Sequence, residues 1–290
     1  MPNKKEGFPM IQDIAPHHFD NAYQPAPPSP DSYALCFQER RALLLRKEDG
    51  SFDFPRFRDL EKENEDIYQN STYLFAVDGQ TFYLLQNLSI PAPSGFSLEN
   101  IQFFRSASPR HLAFAGITGY QLSQWYESRR WCGRCGSPLQ HDEKERMMRC
   151  PKCGQMEYPK ICPAVIIAVT DNNRLLLSKY AGRTYKRYAL LAGFTEIGET
   201  LEETVKREVM EEVGLKVTNI RYYKSQPWSF SDTLLAGFFC DLEEPGQIRL
   251  DENELALAEW FEREDIPLED EEHASLTHEM IRYFHDQESR

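Results

Sequence analysis

No stretch of this 290-residue chain is apolar for long enough to cross a bilayer as a helix. Basic charge is also scarce: 33 Lys and Arg stand against 46 Asp and Glu, a formal net charge of −13. A general nucleic-acid or membrane-binding surface wants the opposite balance, so neither DNA nor a membrane is expected as a partner. The opening residues lack the apolar core of a signal peptide. Seven cysteines, an odd number, do not make a full set of disulfides. A reducing, cytoplasmic setting is the expectation. No internal repeat suggests a solenoid. The length itself suggests two domains, with room for a small insert.

What is present begins with a Pro-rich, irregular segment over residues 1–32. Strands are predicted at 42–46, 51–54, 72–77, 81–86 and 101–105. Asp78-Gly79 between the third and fourth of these is a strong hairpin signal. A helix is predicted over 111–129, although Gly116 and Gly119 weaken it. This region reads as a β-rich α+β domain without a catalytic constellation. His17, His18 and His111 read as ordinary surface residues.

Two CxxC pairs follow. Cys132 and Cys135 form one, Cys150 and Cys153 the other, fourteen residues apart, and each is trailed by a glycine, Gly136 or Gly154. Glycine permits the tight turn that a tetrahedral thiolate site needs. Two such knuckles predict a zinc ribbon, with one structural Zn²⁺ and no open coordination position. A redox CxxC is the weaker reading, because both pairs are present. Zinc ribbons also occur in nucleic-acid binders. Here His141, Asp142, Glu143 and Glu145 beside Lys144, Arg146 and Arg149 are too mixed in charge to argue for that. Cys36, Cys162 and Cys240 read as free, buried thiols.

Beyond the ribbon, strands are predicted at 163–169, 174–179, 188–192, 219–224, 234–242 and 258–261, with a last helix at 275–284. The acidic run 269–272 reads as a solvated loop. Another helix is predicted over 201–213. Thr200 and Glu203 suit a capping box, Gly214 suits the stop, and Leu201, Val205, Val209 and Val213 form its apolar stripe. Glu208, Glu211 and Glu212 then share a face, where like charges destabilise a helix. A hard divalent cation, Mg²⁺ or Mn²⁺, would turn that liability into a ligand set.

The spacing goes further. Gly193, Glu199, Arg207-Glu208-Val209, Glu211-Glu212 and Gly214-Leu215 fill the fixed positions of the Nudix box. The stretch resembles the Nudix hydrolases, which cleave nucleoside diphosphates linked to another group. Ser225-Gln226-Pro227-Trp228, a spacer and Phe230 resemble the marker of the NADH pyrophosphatase subfamily, which also carries a four-Cys ribbon. The resemblance spans about residues 70–285. It implies an N-terminal β-rich domain (1–130), a four-Cys zinc ribbon (131–157) and a C-terminal Nudix α/β/α sandwich (158–290), α+β in class. It implies metal-dependent hydrolysis of NADH or NAD to nicotinamide mononucleotide and AMP, and some members also remove an NAD cap from RNA.

By position, the resemblance makes Glu208, Glu211, Glu212, Glu254 and the Ala192 carbonyl metal ligands, with Glu212 as the base. Arg207 and Glu199 support them. Tyr158, Gln226, Pro227, Trp228, Ser229, Phe230, Ser231, Asp232, Thr233 and Thr277 line the substrate site, and Phe194 stacks on a base. Ser229, Ser231 and Thr233 depart from a common subfamily form with Pro, Pro and Ser, and Thr277 stands where the family has alanine. A homodimer is implied as well. The alternatives are a Nudix hydrolase of another substrate such as ADP-ribose, and a non-catalytic nucleotide sensor. Sensors often lose box glutamates, and all are present here.

Overall fold

The computed structural model describes residues 10–62, 66–86, 95–182, 187–268 and 275–287. The acidic run 269–272 lies outside them. The chain forms two compact units.

The first unit takes in Ile11–Lys160 and Ser229–Asp232. Its elements are β1 (Phe19–Asp20), β2 (Tyr33–Gln38), β3 (Arg41–Arg46), β4 (Phe52–Asp53), α1 (Phe57–Leu60), β5 (Ser71–Val77), β6 (Gln80–Leu85), β7 (Phe96–Asn100), α2 (Arg110–Ser128), β8 (Gln140–His141), β9 (Met148–Arg149) and β10 (Met156–Glu157). Seven strands make one sheet in the order β1-β5-β6-β2-β3-β4, with β7 beside β3. Asp78 and Gly79 both have positive φ and turn β5 into β6, as their sequence signals.

The two helix glycines are packing sites. A Cβ on Gly116 would come within 2.6 Å of the Phe104 ring, and one on Gly119 within 2.2 Å of Leu35. Their absence of side chain lets α2 lie close on the sheet, which outweighs the propensity cost. The strand expected at 101–105 is instead a 3₁₀ turn, Ile101–Arg105. Asn100 caps it by accepting from the Gln102 N–H at 2.9 Å, and Ile101 and Phe104, three apart, are both buried. The period is that of a 3₁₀ turn, not of a strand.

The second unit takes in Ile161–Trp228 and Thr233–Arg290, together with Met10. It contains β11 (Cys162–Asp171), β12 (Arg174–Tyr180), β13 (Leu191–Phe194), α3 (Leu201–Val213), β14 (Val217–Trp228), β15 (Thr233–Leu242), β16 (Leu255–Glu262) and α4 (Leu276–Asp286). The mixed sheet runs β14-β15-β11-β12-β16, with β13 on β11. Strand β11 is apolar from Ala164 to Val169, where it is covered on both faces. Val165, Ile167 and Val169 meet α3, while Ile166 and Ala168 meet the side of α4. That is the expected α/β/α sandwich.

Two strands differ from expectation. β13 starts later than 188 and continues through Gly193 to Phe194, which pairs with Ala164. β14 runs to Trp228, so Gln226, Pro227 and Trp228 are strand residues and not loop. Register shifts after Thr218 and Tyr222 break its alternation, which is why its length is hard to read from sequence.

Candidate active site

Helix α3 is held at both ends. Thr200 Oγ1 accepts from the Glu203 N–H at 3.2 Å, and the Thr200 N–H donates to Glu203 Oε2 at 2.8 Å. Such a cap contributes about 1 kcal/mol. Gly214, at φ +68°, ends the helix and donates to the Met210 carbonyl. Val205, Val209 and Val213 are fully buried against the sheet and fix the rotation of the helix. The glutamate face is turned accordingly. Glu208 is buried, Glu212 is 2% exposed, and Glu211 points to solvent.

Arg207 ties this face together. Its Nε and Nη2 donate to both oxygens of Glu199, at 2.5 and 2.9 Å. Its Nη1 donates to Glu208 Oε1 at 2.7 Å and Glu211 Oε2 at 2.9 Å. The second Nη2 bond goes to the Phe194 carbonyl at 2.9 Å. One guanidinium thus orders three carboxylates and the end of β13. Beside it the Glu199 carboxyl is held down to about 2.

Glu208 sits in a cradle formed by the absence of a side chain. A Cβ on Gly193 would lie 1.9 Å from Glu208 Cδ and about as close to both of its oxygens. Burial pushes the Glu208 carboxyl up; Arg207 opposes this, and the charges of Glu211 and Glu254 add to it. Arg207 Nη1 brings Glu208 and Glu211 to one point, and carboxylate oxygens are the donors a hard divalent cation takes. The residues present fit the group that the resemblance implies in donor chemistry; among the described residues no three of these carboxylates lie within 4.8 Å of one another as the cysteine sulfurs do. Gly193 is the residue that spacing alone did not assign a role. Its signal was a glycine at the end of an apolar strand, directly before an aromatic.

The other expected residues are distributed as follows. Ala192 pairs with Ile166 in the sheet, next to Gly193. The Phe194 ring is 55% exposed. Glu254 is on the surface, its carbonyl accepting from the Ala181 N–H at 2.8 Å. Gln226 is fully buried, and its Oε1 accepts from the Leu276 N–H at 2.8 Å, so it holds the start of α4. Pro227 and Trp228 end β14 opposite Leu234 and Thr233. Thr277 lies in the first turn of α4. Ser229, Phe230, Ser231 and Asp232 group with the first unit. There the Arg105 guanidinium lies over the Phe230 ring at 5.0 Å, and Lys160 faces Asp232 at 3.4 Å. Tyr158 is also in the first unit and donates to Glu145 Oε2 at 2.8 Å.

The ribbon's geometry is that of a closed metal site. The four cysteine sulfurs lie within 4.8 Å of one another. Cys132 and Cys153 are 3.6 Å apart, and Cys135 and Cys150 3.5 Å. Thiolates about 2.3 Å from a tetrahedral Zn²⁺ are roughly 3.8 Å apart, so the set fits zinc. Each knuckle repeats the same bonds: Gly136 N–H to the Cys132 carbonyl and Gly154 N–H to the Cys150 carbonyl. Of the remaining cysteines, Cys240 is buried and Cys36 and Cys162 are half-buried. Burial pushes the Cys36 and Cys240 thiols up to about 12.

Cys132→Ser should cost more than about 4 kcal/mol, the range reached when a structural metal is lost. Zinc content and melting temperature should fall together. Metal analysis of the wild type should return about one zinc per chain. A zinc-free protein that melts like the zinc-bound one would contradict this.

Residues 160–284 match the family profile described as NUDIX domain, and residues 127–158 match the NADH pyrophosphatase zinc ribbon domain. The chain carries a NUDIX domain behind a NADH pyrophosphatase zinc ribbon. Similar curated proteins include the NAD-capped RNA hydrolase NudC of Klebsiella pneumoniae subsp. pneumoniae. It is 41% identical over 150 residues, covering 52% of this chain and 58% of the relative. The protein of the same name from Salmonella paratyphi C matches with the same identity and coverage. The chain thus spans 58% of the length of these relatives. A solved NUDIX hydrolase from Nitrosomonas europaea aligns with a TM-score of 0.47 at 26% identity, over 55% of this chain and 92% of that one. Within the NUDIX domain of this chain, the carboxylate face of α3, Arg207 and Gly193 form one connected arrangement. No helix among the described residues is long and apolar enough to cross a membrane.

Proposed function

We propose that this chain hydrolyses the pyrophosphate bond of NADH and NAD, giving nicotinamide mononucleotide and AMP, and makes the same cut at the NAD cap of RNA. The observation that carries the reading is the carboxylate face of α3, with Glu208 and Glu211 ordered by Arg207 and Glu208 packed against Gly193, in a domain preceded by a ribbon of the NADH pyrophosphatase type. The names of the curated relatives support the NAD-capped substrate.

Glu208, Glu211, Glu212, Glu254 and the Ala192 carbonyl would hold Mg²⁺ or Mn²⁺. Such ions neutralise the bridging phosphates and make water more acidic. Glu212 is assigned as the base that takes the proton of the attacking water. The water oxygen bonds to one phosphorus, and the bridging P–O bond breaks. Glu211 and Glu208 keep their orientation through Arg207. Phe194 and Trp228, both in the second unit, would contact the nucleoside ends, while the buried Gln226 holds the start of α4. The reading also takes the protein as a homodimer, which rests on the resemblance, in the reducing cytoplasmic setting that its odd number of cysteines suggests.

Phe194 gives a test of substrate class. Its exposed ring offers a stacking platform, and one stack contributes on the order of 1–3 kcal/mol. NADH or NAD should be preferred over ADP-ribose in kcat/KM, and Phe194→Ala should lower that value roughly tenfold for the dinucleotide. Products would be separated by chromatography for NADH, NAD, ADP-ribose and an NAD-capped RNA, with Mg²⁺ and Mn²⁺ in parallel. Equal or better turnover of ADP-ribose would place the chemistry elsewhere in the family.

A further inference from the structure

Arg207 orders Glu199, Glu208 and Glu211. The other two carboxylates of the proposed ligand set come from different elements. Glu212 is on α3, and Glu254 immediately precedes β16. They can serve one site only if the end of α3 and the start of β16 are fixed to each other. That connection is made at Asp251, a residue to which no motif assigns a role. Residues 248–251 run along the last turn of α3. The Arg249 N–H donates to the Val213 carbonyl at 2.9 Å, and the Asp251 N–H to the Glu212 carbonyl at 3.0 Å. These are carbonyls that a helix end leaves without intrahelical partners. Ile248 and Leu250 pack on the core that holds Val205, Val209 and Val213.

Asp251 then builds the turn that delivers Glu254. Its carbonyl accepts from the Glu254 N–H at 3.1 Å and the Leu255 N–H at 2.9 Å. Its Oδ1 accepts from the Asn253 N–H and from Asn253 Nδ2, both at 2.9 Å. A side-chain bond to the backbone two residues on is how aspartate shapes a turn. The other side of Glu254 is fixed as well. Its carbonyl accepts from the Ala181 N–H at 2.8 Å, beside the register shift at Lys179 and Tyr180. Leu255, the next residue, is buried in the same core as the α3 valines. Backbone bonds from Asp251 thus run one way to Glu212 and the other way to Glu254. The charge of Glu254 is felt at Glu208, whose carboxyl it helps to push up.

We propose that Asp251 is a positioning residue, which sets Glu254 against Glu212 so that both serve one divalent-cation site. The proposal rests on the reading above, in which both glutamates hold Mg²⁺ or Mn²⁺. Contacts that orient metal-binding side chains change affinity by about 10- to 100-fold when lost. Asp251 acts through its acceptor oxygen and not its charge, because the groups it engages are an N–H and an amide of Asn253. Asparagine offers the same oxygen at the same reach. Glutamate keeps the charge but moves the oxygen by one methylene. If Asp251 were itself a ligand, or only closed a turn, these variants would sort differently.

The test uses the zinc-loaded full chain and Mn²⁺ alone, with free Mn²⁺ followed by its EPR signal and each variant melted in parallel. Asp251→Ala and Asp251→Glu should each weaken Mn²⁺ binding about tenfold, the low end for a lost orienting contact. Asp251→Asn should stay within about twofold of wild type. Glu254→Gln should also weaken binding, and Asp251→Ala added to it should change little further, because the two act as one unit. If Asp251→Ala does not fold, Asp251→Glu carries the comparison. Weak binding by Asp251→Asn with normal binding by Asp251→Glu overturns the proposal, since charge would then be what matters. So does a lowered melting temperature with unchanged Mn²⁺ affinity in the alanine and glutamate variants, which would leave only a structural turn. So do independent, additive losses in the double variant, or Mn²⁺ binding indifferent to Glu254→Gln. Because binding is read without NADH, a chain that holds Mn²⁺ as expected and leaves NADH intact would count against the proposed reaction and not against this placement.

Discussion

Glu212→Gln should reduce kcat by about 1,000-fold, the scale on which a general base contributes. Glu212 is nearly inaccessible, on a helix whose rotation is fixed by three buried valines. Glutamine has the same shape and one hydrogen-bonding oxygen, but neither the charge nor the basicity. Because glutamine keeps the shape and volume of the side chain, the fold should be retained. Activity and thermal melting of the same preparation separate the two effects. A folded variant that keeps more than about a tenth of the wild-type kcat would remove Glu212 from the role of base.

Gly193→Ala should also be damaging, through geometry alone. The added methyl would occupy the Glu208 carboxylate, at 1.9 Å from its carbon. Glycine here is not required by backbone conformation, so β13 should form as before. Glu208 must move, and with it the Arg207 bond at 2.7 Å. Displacing a reacting constellation by about 1 Å costs on the order of 100-fold in rate. Expected, then, is a folded protein with kcat/KM down by about that factor. Activity within about threefold of wild type would mean that Glu208 is not held where the reaction needs it.

How far the sequence reached can be judged at particular residues. The capping box, the glycine stop and the valine stripe of α3 are local signals, and the helix forms as they indicate. The ribbon is equally local, since four cysteines and two glycines specify it. Gln226 is different. Its motif draws it toward substrate, but the fold buries it against the start of α4, a contact fifty residues away that no local pattern encodes. The same holds for β14, whose two register shifts hide a long strand in a sequence without alternation. Gly116 and Gly119 looked like weaknesses of a helix until the rings and leucine opposite them were in place. Gly193 belongs with these: spacing marks it, and only the packed structure gives the steric reason.

The charge on the ribbon makes the same point in electrostatic terms. In sequence its acids and bases are interspersed, eight Lys and Arg with four Asp and Glu from Arg129 to Lys160. In the fold, Asp142 and Glu157 are paired with Arg149 and Arg129, Glu145 accepts from the Tyr158 hydroxyl, and Glu143, Arg134 and Lys152 face solvent. Net charge constrains the long-range field, but the surface a ligand meets depends on which charges are already spoken for.

The most direct test is product analysis with NADH and the zinc-replete chain, with and without added Mg²⁺ or Mn²⁺. The carboxylate face of α3 predicts that AMP and reduced nicotinamide mononucleotide appear in equal amounts, only when the divalent ion is present, and not with Glu212→Gln. Intact NADH under all conditions, or cleavage into nicotinamide and an ADP-ribose product, would contradict it.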